Sequence, residues 1–321
     1  MFKLPKKPSP KASVTELADF VEILAWVERS ASAQRVVNYL GLVDDQILNE
    51  DDSYQGCEDQ EDEHQEYLED VFAELAKREE ICNEAYPFEI NGTAGTVLHL
   101  KPNVWDNPQQ TAYLYLLAAT RLNMNKDHNL EDIDGALEME FLSAHALKQY
   151  LGAVKSTVMV FGTSDNAGRF SERVDELMVM LKEKGRFRNI NGTEAPIHAQ
   201  DDKLDVIGTI PFTDGRGGQL IVFAQSKTGT NWKSHISELR PEVFAKKWIS
   251  HDFLIPPLRA YCIAESVDEI EWASNCAEAG LLFDRCRLVE CCIEDDTNKL
   301  PENIRAWTQA AQTRINSYIS A

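Results

Sequence analysis

The sequence predicts an α/β protein in which helices flank a sheet, preceded by a mainly helical N-terminal part. Apolar residues recur at helical spacing through most of the first 120 or so positions. In the remainder, short runs rich in β-branched and aromatic residues alternate with helical patterns. One pair of these runs is joined by the turn-forming segment TDGRGG, which is typical of a hairpin. Together these features indicate layers of helix and sheet around a common core.

The N-terminal part contains six predicted elements. The first is a helix in which Leu17, Phe20, Val21 and Leu24 share one side. The acidic run at 44–63 has little apolar content and predicts a loop. In order, the elements are a helix at 14–28, a shorter helix at 32–40, the acidic loop at 44–63, an amphipathic helix within 64–81, a β element at 88–100 and an apolar helix at 109–122.

The charged, Asn-rich stretch at 123–135 is the predicted domain boundary, separating an acidic helical region at 1–127 from a second domain at 128–321. We expect the first region to have a regulatory or partner-docking role. The second domain is predicted to contain a helix at 131–151, a strand at 157–161, a helix at 171–184, a hairpin at 204–227, a helix at 238–249, a strand at 258–264, a helix at 267–278, an apolar segment at 281–292 and a helix from Pro301.

Composition limits the class of protein. The chain of 321 residues has a formal net charge of −21, but 18 acidic residues against two basic ones fall within 41–89. The acidity is therefore concentrated, and it gives no support to simple counterion-release binding of nucleic acid. No apolar run reaches the ~18 residues that span a bilayer, and the basic N-terminus lacks a signal-peptide apolar region. The seven cysteines show no C-x-x-C pairing, so we expect reduced thiols, a cytoplasmic location and no membrane partner.

Three polar side chains stand at one end of the predicted hairpin. Asp205 opens the first strand, while Gln225 and Lys227 end the second, on a shared face because side chains alternate along a strand. A symmetric turn would place Asp205 opposite Ser226, on the wrong face, so convergence of the three groups requires a one-residue offset in the pairing. They are either ordinary polar residues of a strand edge or the ligands of a metal and a water.

The helix predicted at 131–151 carries two glutamates with different expected surroundings. At ~100° per residue, Glu140 falls among the apolar side chains and Glu138 falls on the opposite, solvated side. A buried carboxylate needs a cation, a hydrogen-bond donor or a raised pKa. Glu140 is therefore either part of a structural ion pair or part of a site with Lys227 or a metal. The polar loop at 228–233 after the hairpin either contacts a phosphate or forms a turn.

Glu140 on a helix, Asp205 opening a strand and Gln225-x-Lys227 on its neighbour resemble the active site of the PD-(D/E)xK, or restriction-endonuclease-like, nuclease superfamily. The match is closest to its Q-x-K variants, and the segments 134–152, 203–232 and 279–288 look like an uncharacterised branch among bacterial anti-phage defence proteins. The resemblance covers about residues 130–290. It implies a mixed sheet flanked by helices and a DNA endonuclease that depends on Mg²⁺ or Mn²⁺.

By this resemblance Asp205 is the central metal ligand, Gln225 takes the position of the second acidic ligand, and Glu140 completes the metal shell directly or through water. Lys227 would polarise the attacking water or stabilise the phosphate. Gln225 departs from the family pattern because it offers a neutral amide oxygen, and Leu204 stands where many relatives have proline. The inserted helix at 171–184 brings two rival carboxylates, Glu172 and Glu176.

Other catalytic signatures are absent from the sequence, including the P-loop, H-E-x-x-H and G-x-S-x-G motifs. A separate helicase or ATPase would therefore have to assist any processive work on duplex DNA. The alternative to an enzyme is a catalytically inactive nuclease-like subunit that binds DNA or such a partner in a larger complex. RNA is a further possible substrate, and the oligomeric state is left open.

Overall fold

The structure, a computed structural model, describes residues 1–9, 11–40, 58–91, 96–161, 169–190, 202–296 and 298–320, with 58–67 described as helical backbone alone. The remaining residues lie outside this description. Of the predicted acidic loop at 44–63, only 58–63 are described, and they belong to a helix that begins at Glu58. None of the described helices is both long enough and apolar enough to cross a membrane.

The N-terminal part combines helices with a small antiparallel sheet. Its sheet has the strand order β1–β3–β2, and β4 pairs with β5 in a separate short hairpin. The elements are α1 (Val14–Glu28), β1 (Ser30–Ser32), α2 (Ala33–Leu40), α3 (Glu58–Cys82), β2 (Phe88–Asn91), β3 (Val97–Leu100), α4 (Pro108–Arg121), α5 (Met124–Asp127), β4 (Asn129–Leu130) and β5 (Ile133–Asp134).

The C-terminal part follows the predicted order of elements closely. Its elements are α6 (Gly135–Tyr150), β6 (Thr157–Val160), α7 (Phe170–Met180), β7 (Val206–Ile210), β8 (Leu220–Lys227), α8 (Pro241–Trp248), β9 (Leu258–Ile263), α9 (Glu269–Ala279), β10 (Leu281–Phe283), α10 (Arg285–Glu290) and α11 (Glu302–Ile319). Helix α6 begins later than predicted because the side chain of Asp134 caps it, accepting the backbone N–H of Ala136 at 2.8 Å.

The main sheet is mixed and has the strand order β10–β9–β8–β7–β6. Strand β7 runs antiparallel to β6 and β8, whereas β8, β9 and β10 are mutually parallel. The predicted α/β class, with a mixed sheet flanked by helices, is therefore confirmed. The carboxyl ends of β6, β8, β9 and β10 and the start of β7 meet at one edge, the kind of edge where α/β sheets commonly bind ligands. We call it the carboxyl edge.

The two faces of this sheet are covered by different helices. Val206 and Val222 face the side of α6, and they belong to the main core, which also includes apolar residues of α1, α3, α4 and α11. Ile207 and Phe223 face the other side and pack in a second cluster with residues of α7 and α8. The main core thus contains residues from both sides of the proposed boundary at 127/128, and the division into two domains stays a prediction.

Candidate functional site

The pairing of β7 with β8 contains the one-residue offset that convergence of the site requires. Ile210 pairs with Leu220 and Val206 pairs with Ala224, whereas a symmetric turn would pair Ile210 with Ile221. Continued one residue beyond Val206, this register brings Asp205 opposite Gln225 and not opposite Ser226. Gln225 lies on the face that α8 covers, because side chains alternate along a strand and Phe223 packs with α8. The N–H of Asp205 donates to the carbonyl of Ala224, so Asp205 leaves the regular ladder and alternation does not set its face. The expected offset is confirmed.

Asp205 is held at the carboxyl edge by backbone hydrogen bonds on both sides. Its carboxylate Oδ2 accepts the N–H of Ser226 at 2.6 Å, and its own N–H donates to the carbonyl of Ala224 at 3.0 Å. Its carbonyl accepts the N–H of Phe161 at 2.7 Å, which ties it to the end of β6. With 7% of its surface exposed, Asp205 presents a fixed, nearly buried carboxylate where three strands meet.

Gln225 is fully buried, and its two amide atoms have different environments. The Nε2 group donates to Oε2 of Glu238 at 3.4 Å, a long hydrogen bond. The Oε1 atom is buried and accepts no hydrogen bond from any residue that the structure describes. Tyr261, which pairs with Gln225 in the parallel ladder, is buried beside it. Burial raises the pKa of Tyr261, and the nearby charges of Glu238 and Asp205 raise it further.

Glu238 is a functional candidate that the sequence reasoning missed. It lies between the short 3₁₀ helix Trp232–His235 and α8, and it covers the carboxyl edge from the α8 side. Its Oε1 lies 2.8 Å from Nδ1 of His235, and its Oε2 lies 3.5 Å from Nζ of Lys203. Burial acts to raise the pKa of Glu238, but His235, Lys203 and the amide of Gln225 together hold it below its ordinary value. The carboxylate therefore stays ionised at neutral pH.

Lys227 ends strand β8 on the same alternation as Gln225, as the sequence predicted. Its side chain is half-buried. No carboxylate among the described residues lies within 4.0 Å of its ammonium, in contrast to Lys203, which pairs with Glu238. Lys227 is thus placed to meet an incoming anion at the carboxyl edge.

Glu140 lies on α6, which packs on the opposite face of the sheet. A Cβ atom at Gly208 would meet Leu147 of α6 and Leu151 just after it, and Ser143 contacts Cys262 of β9. The residues of α6 before Ser143 therefore lie toward the carboxyl edge, and Glu140 is nearly one turn before Ser143. Glu140 is half-buried there, separated by the sheet from the face that holds Gln225. Its role in a metal shell stays a prediction.

The structure reverses the expected surroundings of Glu138. Glu138 is 3% exposed, and its Oε1 accepts the Nδ2 amide of Asn303 on α11 at 3.2 Å. Burial raises its pKa, the hydrogen bond from Asn303 lowers it, and the charge of Asp134 raises it, with a net upward shift. The prediction that Glu138 is solvated was wrong because α6 packs against both the sheet and α11, so its buried surface is wider than one apolar stripe.

The rival carboxylates and the polar loop have other roles in the structure. Glu172 and Glu176 are exposed on α7, and Glu172 caps that helix by accepting the N–H of Arg169 at 3.0 Å. In the loop after β8, the N–H of Gly229 donates to the carbonyl of Ala119 at 3.0 Å, and a 3₁₀ turn begins at Trp232. These contacts agree with a turn that anchors the end of β8 on α4.

The donor set at the carboxyl edge suits a hard divalent cation. Asp205 offers a carboxylate and Gln225 offers an amide oxygen that no described group satisfies, and Mg²⁺ prefers a few such oxygen ligands while keeping several waters. Within the described ranges, no group of three or more His, Cys, Asp or Glu side chains is arranged around a common point.

No protein-family model matches the chain, and neither a curated protein nor a solved structure shows significant similarity to it. The geometry at the carboxyl edge is thus the basis for a functional interpretation.

Proposed function

We propose that the protein is a metal-dependent DNA endonuclease with a restriction-endonuclease-like nuclease domain. The observation that carries the proposal is the register of β7 and β8, which continued by one residue brings Asp205 opposite Gln225, while Lys227 follows two residues after Gln225 on the same face of β8. A helix-flanked mixed sheet that gathers these groups at its carboxyl edge is consistent with the PD-(D/E)xK pattern in the sequence.

In this proposal Asp205 and Gln225 hold a Mg²⁺ or Mn²⁺ ion through their oxygen atoms, with Glu140 as a further candidate ligand. The ion would supply positive charge at the phosphate and acidify a bound water. Lys227 would donate to a non-bridging phosphate oxygen or to the attacking water and hold it in line with the scissile bond. The Ser226 N–H fixes the carboxylate of Asp205, which limits its loss of freedom on binding.

Lysines near this edge differ in whether a carboxylate neutralises them. Lys203 lies 3.5 Å from Glu238, and Lys233 of the 3₁₀ turn pairs with Glu271. Lys227 has no carboxylate within 4.0 Å among the described residues, so in this proposal it is the lysine that would meet the phosphate. Because the formal net charge is −21, binding of DNA would depend on this lysine and on the cation rather than on total charge.

The test is cleavage of supercoiled, linear and single-stranded DNA by purified protein with and without Mg²⁺. We expect Asp205→Ala and Lys227→Ala to abolish Mg²⁺-dependent nicking while the far-ultraviolet circular dichroism shows a folded protein. Asp205→Asn, which keeps an oxygen for the N–H of Ser226, should abolish nicking with a melting temperature close to wild type. Lys155→Ala is the matched control, because Lys155 is an exposed lysine at the opposite end of α6. Glu140→Ala tests whether the acid on the other face takes part.

Retained cleavage in both the Asp205→Ala and Lys227→Ala variants would reject the assignment. An RNA substrate of matched sequence, assayed in parallel, separates DNase from RNase activity. A defence role against foreign DNA and assistance by a helicase or ATPase are further proposals, to be tested by phage challenge of cells with wild-type or Asp205→Ala protein and by co-purification.

The second candidate is a nuclease-like subunit without turnover that binds DNA or a partner. It is favoured by the buried position of Gln225, whose neutral amide replaces a metal-binding carboxylate and is engaged with Glu238. Such a subunit would bind labelled duplex DNA in a fluorescence anisotropy titration yet show no nicking with Mg²⁺ or Mn²⁺ at any salt concentration.

A further inference from the structure

We propose that Glu238 is a positioning residue of this site: it holds Nε2 of Gln225 and thereby turns Oε1 toward the cation. The inference rests on the proposed metal site and extends it to a residue outside the sequence pattern that suggested the nuclease. It would also account for an amide at the position where the family pattern has a carboxylate.

The starting point is the symmetry of an amide. The oxygen and nitrogen ends of a glutamine side chain have nearly the same shape, and only its hydrogen-bond partners decide which end points where. Gln225 has no exposed surface, so each end must find its partner inside the protein. The carboxylate Oε2 of Glu238, 3.4 Å from Nε2, is an acceptor and cannot pair with the oxygen end. Glu238 therefore selects one of the two amide orientations.

Glu238 is exposed, and two neighbours contact its carboxylate. His235 Nδ1 lies 2.8 Å from one carboxylate oxygen, and Lys203 Nζ lies 3.5 Å from the other. The N–H of Glu238 donates to the carbonyl of His235 at 3.0 Å, which closes a tight turn. These contacts give the carboxylate a preferred direction, which a group that orients another residue needs.

The orientation leaves Oε1 of Gln225 as an acceptor without a donor among the described residues. A buried acceptor left in this state destabilises the folded protein, because it has lost the hydrogen bonds that water gives it in the unfolded chain. Continued by one residue, the register brings Asp205 opposite Gln225. A divalent cation bound at this place would satisfy the orphaned oxygen, since Mg²⁺ and Mn²⁺ accept amide and carboxylate oxygens as ligands.

Gln225 and Glu238 are therefore a matched pair. A glutamate at 225 would bring a second negative charge to about the same separation from Glu238, and the repulsion between the two carboxylates would disfavour ionisation of one of them. The neutral amide avoids this repulsion, and the carboxylate of Glu238 compensates by setting the direction of the amide. Exchanging the two residue types preserves the hydrogen bond and moves the charge to position 225.

Isothermal titration of Mn²⁺ into the full chain tests this role without relying on activity. We expect Glu238→Ala to weaken Mn²⁺ binding about 10- to 100-fold, the usual effect of removing a residue that orients a ligand. Glu238→Gln keeps an acceptor oxygen of the same shape and should lose less. Glu242→Ala is the matched control, because Glu242 is an exposed glutamate on the first turn of α8.

The charge exchange supplies the sharper comparison. Gln225→Glu alone should bind Mn²⁺ no better than wild type, because Glu238 opposes the new charge. The double variant Gln225→Glu/Glu238→Gln should bind at least as tightly as wild type. In the Gln225→Glu background, Glu238→Ala should not weaken binding, since both atoms of a carboxylate are oxygens and no orientation is left to select.

The outcomes separate this inference from the proposed function. If wild type binds Mn²⁺ and Glu238→Ala binds it equally well, Glu238 has no positioning role, while the nuclease proposal is unaffected. If the affinities follow the expected order but no variant cleaves nucleic acid, the metal site stands and the nuclease proposal fails. Absence of Mn²⁺ binding in wild type would overturn the positioning role.

Discussion

Arg285 forms a bidentate ion pair with Asp19, donating from Nη1 to Oδ1 and from Nη2 to Oδ2 at 2.9 Å each. Both side chains are almost completely buried. The same carboxylate also accepts from Arg78 Nη1 and from Arg121 Nε, each at 2.7 Å. Burial alone would raise the pKa of Asp19, but the three guanidinium groups hold it well below its usual range. This cluster joins α1, α3 and α4 to α10, and Arg285 also donates to the carbonyl of Ala264, which directly follows β9.

Replacing Asp19 by asparagine should destabilise the fold strongly. The variant leaves three buried guanidinium groups with too little negative charge, and breaking a buried pair in this way costs about 3–5 kcal/mol. Urea denaturation monitored by tryptophan fluorescence measures the loss of unfolding free energy. As a control, Glu28→Gln at the exposed pair with Arg35 should leave the midpoint unchanged within error. An Asp19→Asn midpoint equal to wild type would show that the cluster does not hold the helices together.

Glu138→Gln should stabilise the protein at neutral pH but not in acid. The pKa of Glu138 is raised above its ordinary value of 4.5 by burial. A carboxyl with a raised folded-state pKa favours the folded state while protonated, so wild type loses stability as pH rises from 4.5 through that higher pKa. Glutamine keeps the acceptor for Asn303 and never ionises. The unfolding free energies of wild type and Glu138→Gln should agree at pH 4. At pH 7 the variant should have the larger unfolding free energy.

Gly135→Ala should destabilise the start of α6 even though alanine favours helix by about 1 kcal/mol. A Cβ atom at Gly135 would lie 2.3 Å from Cε2 of Trp307, a buried ring whose Nε1 donates to the carbonyl of His128 at 2.8 Å. Overpacking of this kind costs about 1–3 kcal/mol. Thermal unfolding of Gly135→Ala, Trp307→Phe and the double variant measures the coupling. A smaller ring should relieve the clash, so strictly additive losses would contradict the contact.

Mg²⁺ should raise the melting temperature of wild-type protein, and chelation should reverse the rise. A ligand that binds only the folded state stabilises it by about 2.7 kcal/mol at 100 times its dissociation constant. Asp205→Asn removes the charge that attracts the cation while keeping an oxygen for the N–H of Ser226. Differential scanning fluorimetry in MgCl₂ and in KCl of equal ionic strength should therefore show a Mg²⁺-specific shift for wild type alone. An equal shift in the Asp205→Asn variant would place the cation elsewhere.

Local sequence patterns were sufficient for most of the secondary structure. The apolar spacing within 14–28 and the turn residues between β7 and β8 act over a few residues, and the elements form where these patterns predict them. The need for an offset register also followed from side-chain alternation. Whether the offset forms depends on tertiary packing, because the two faces of the sheet pack against different helices. A slip of β7 by one residue would move Ile207 into the main core and Val206 into the second cluster.

The sequence by itself determined the mixed helix and strand pattern, the polar end of the hairpin and the residue types able to hold a hard cation. Only the tertiary structure decided that Glu138 is buried and that Glu140 stands across the sheet from Gln225. It also decided that the amide of Gln225 contacts Glu238 and that Asp19 pairs with a residue 266 positions away. The physical reason is that periodicity encodes which side of an element is apolar. The packing of the elements determines which charged groups come into contact, and this cannot be read from their separation along the chain.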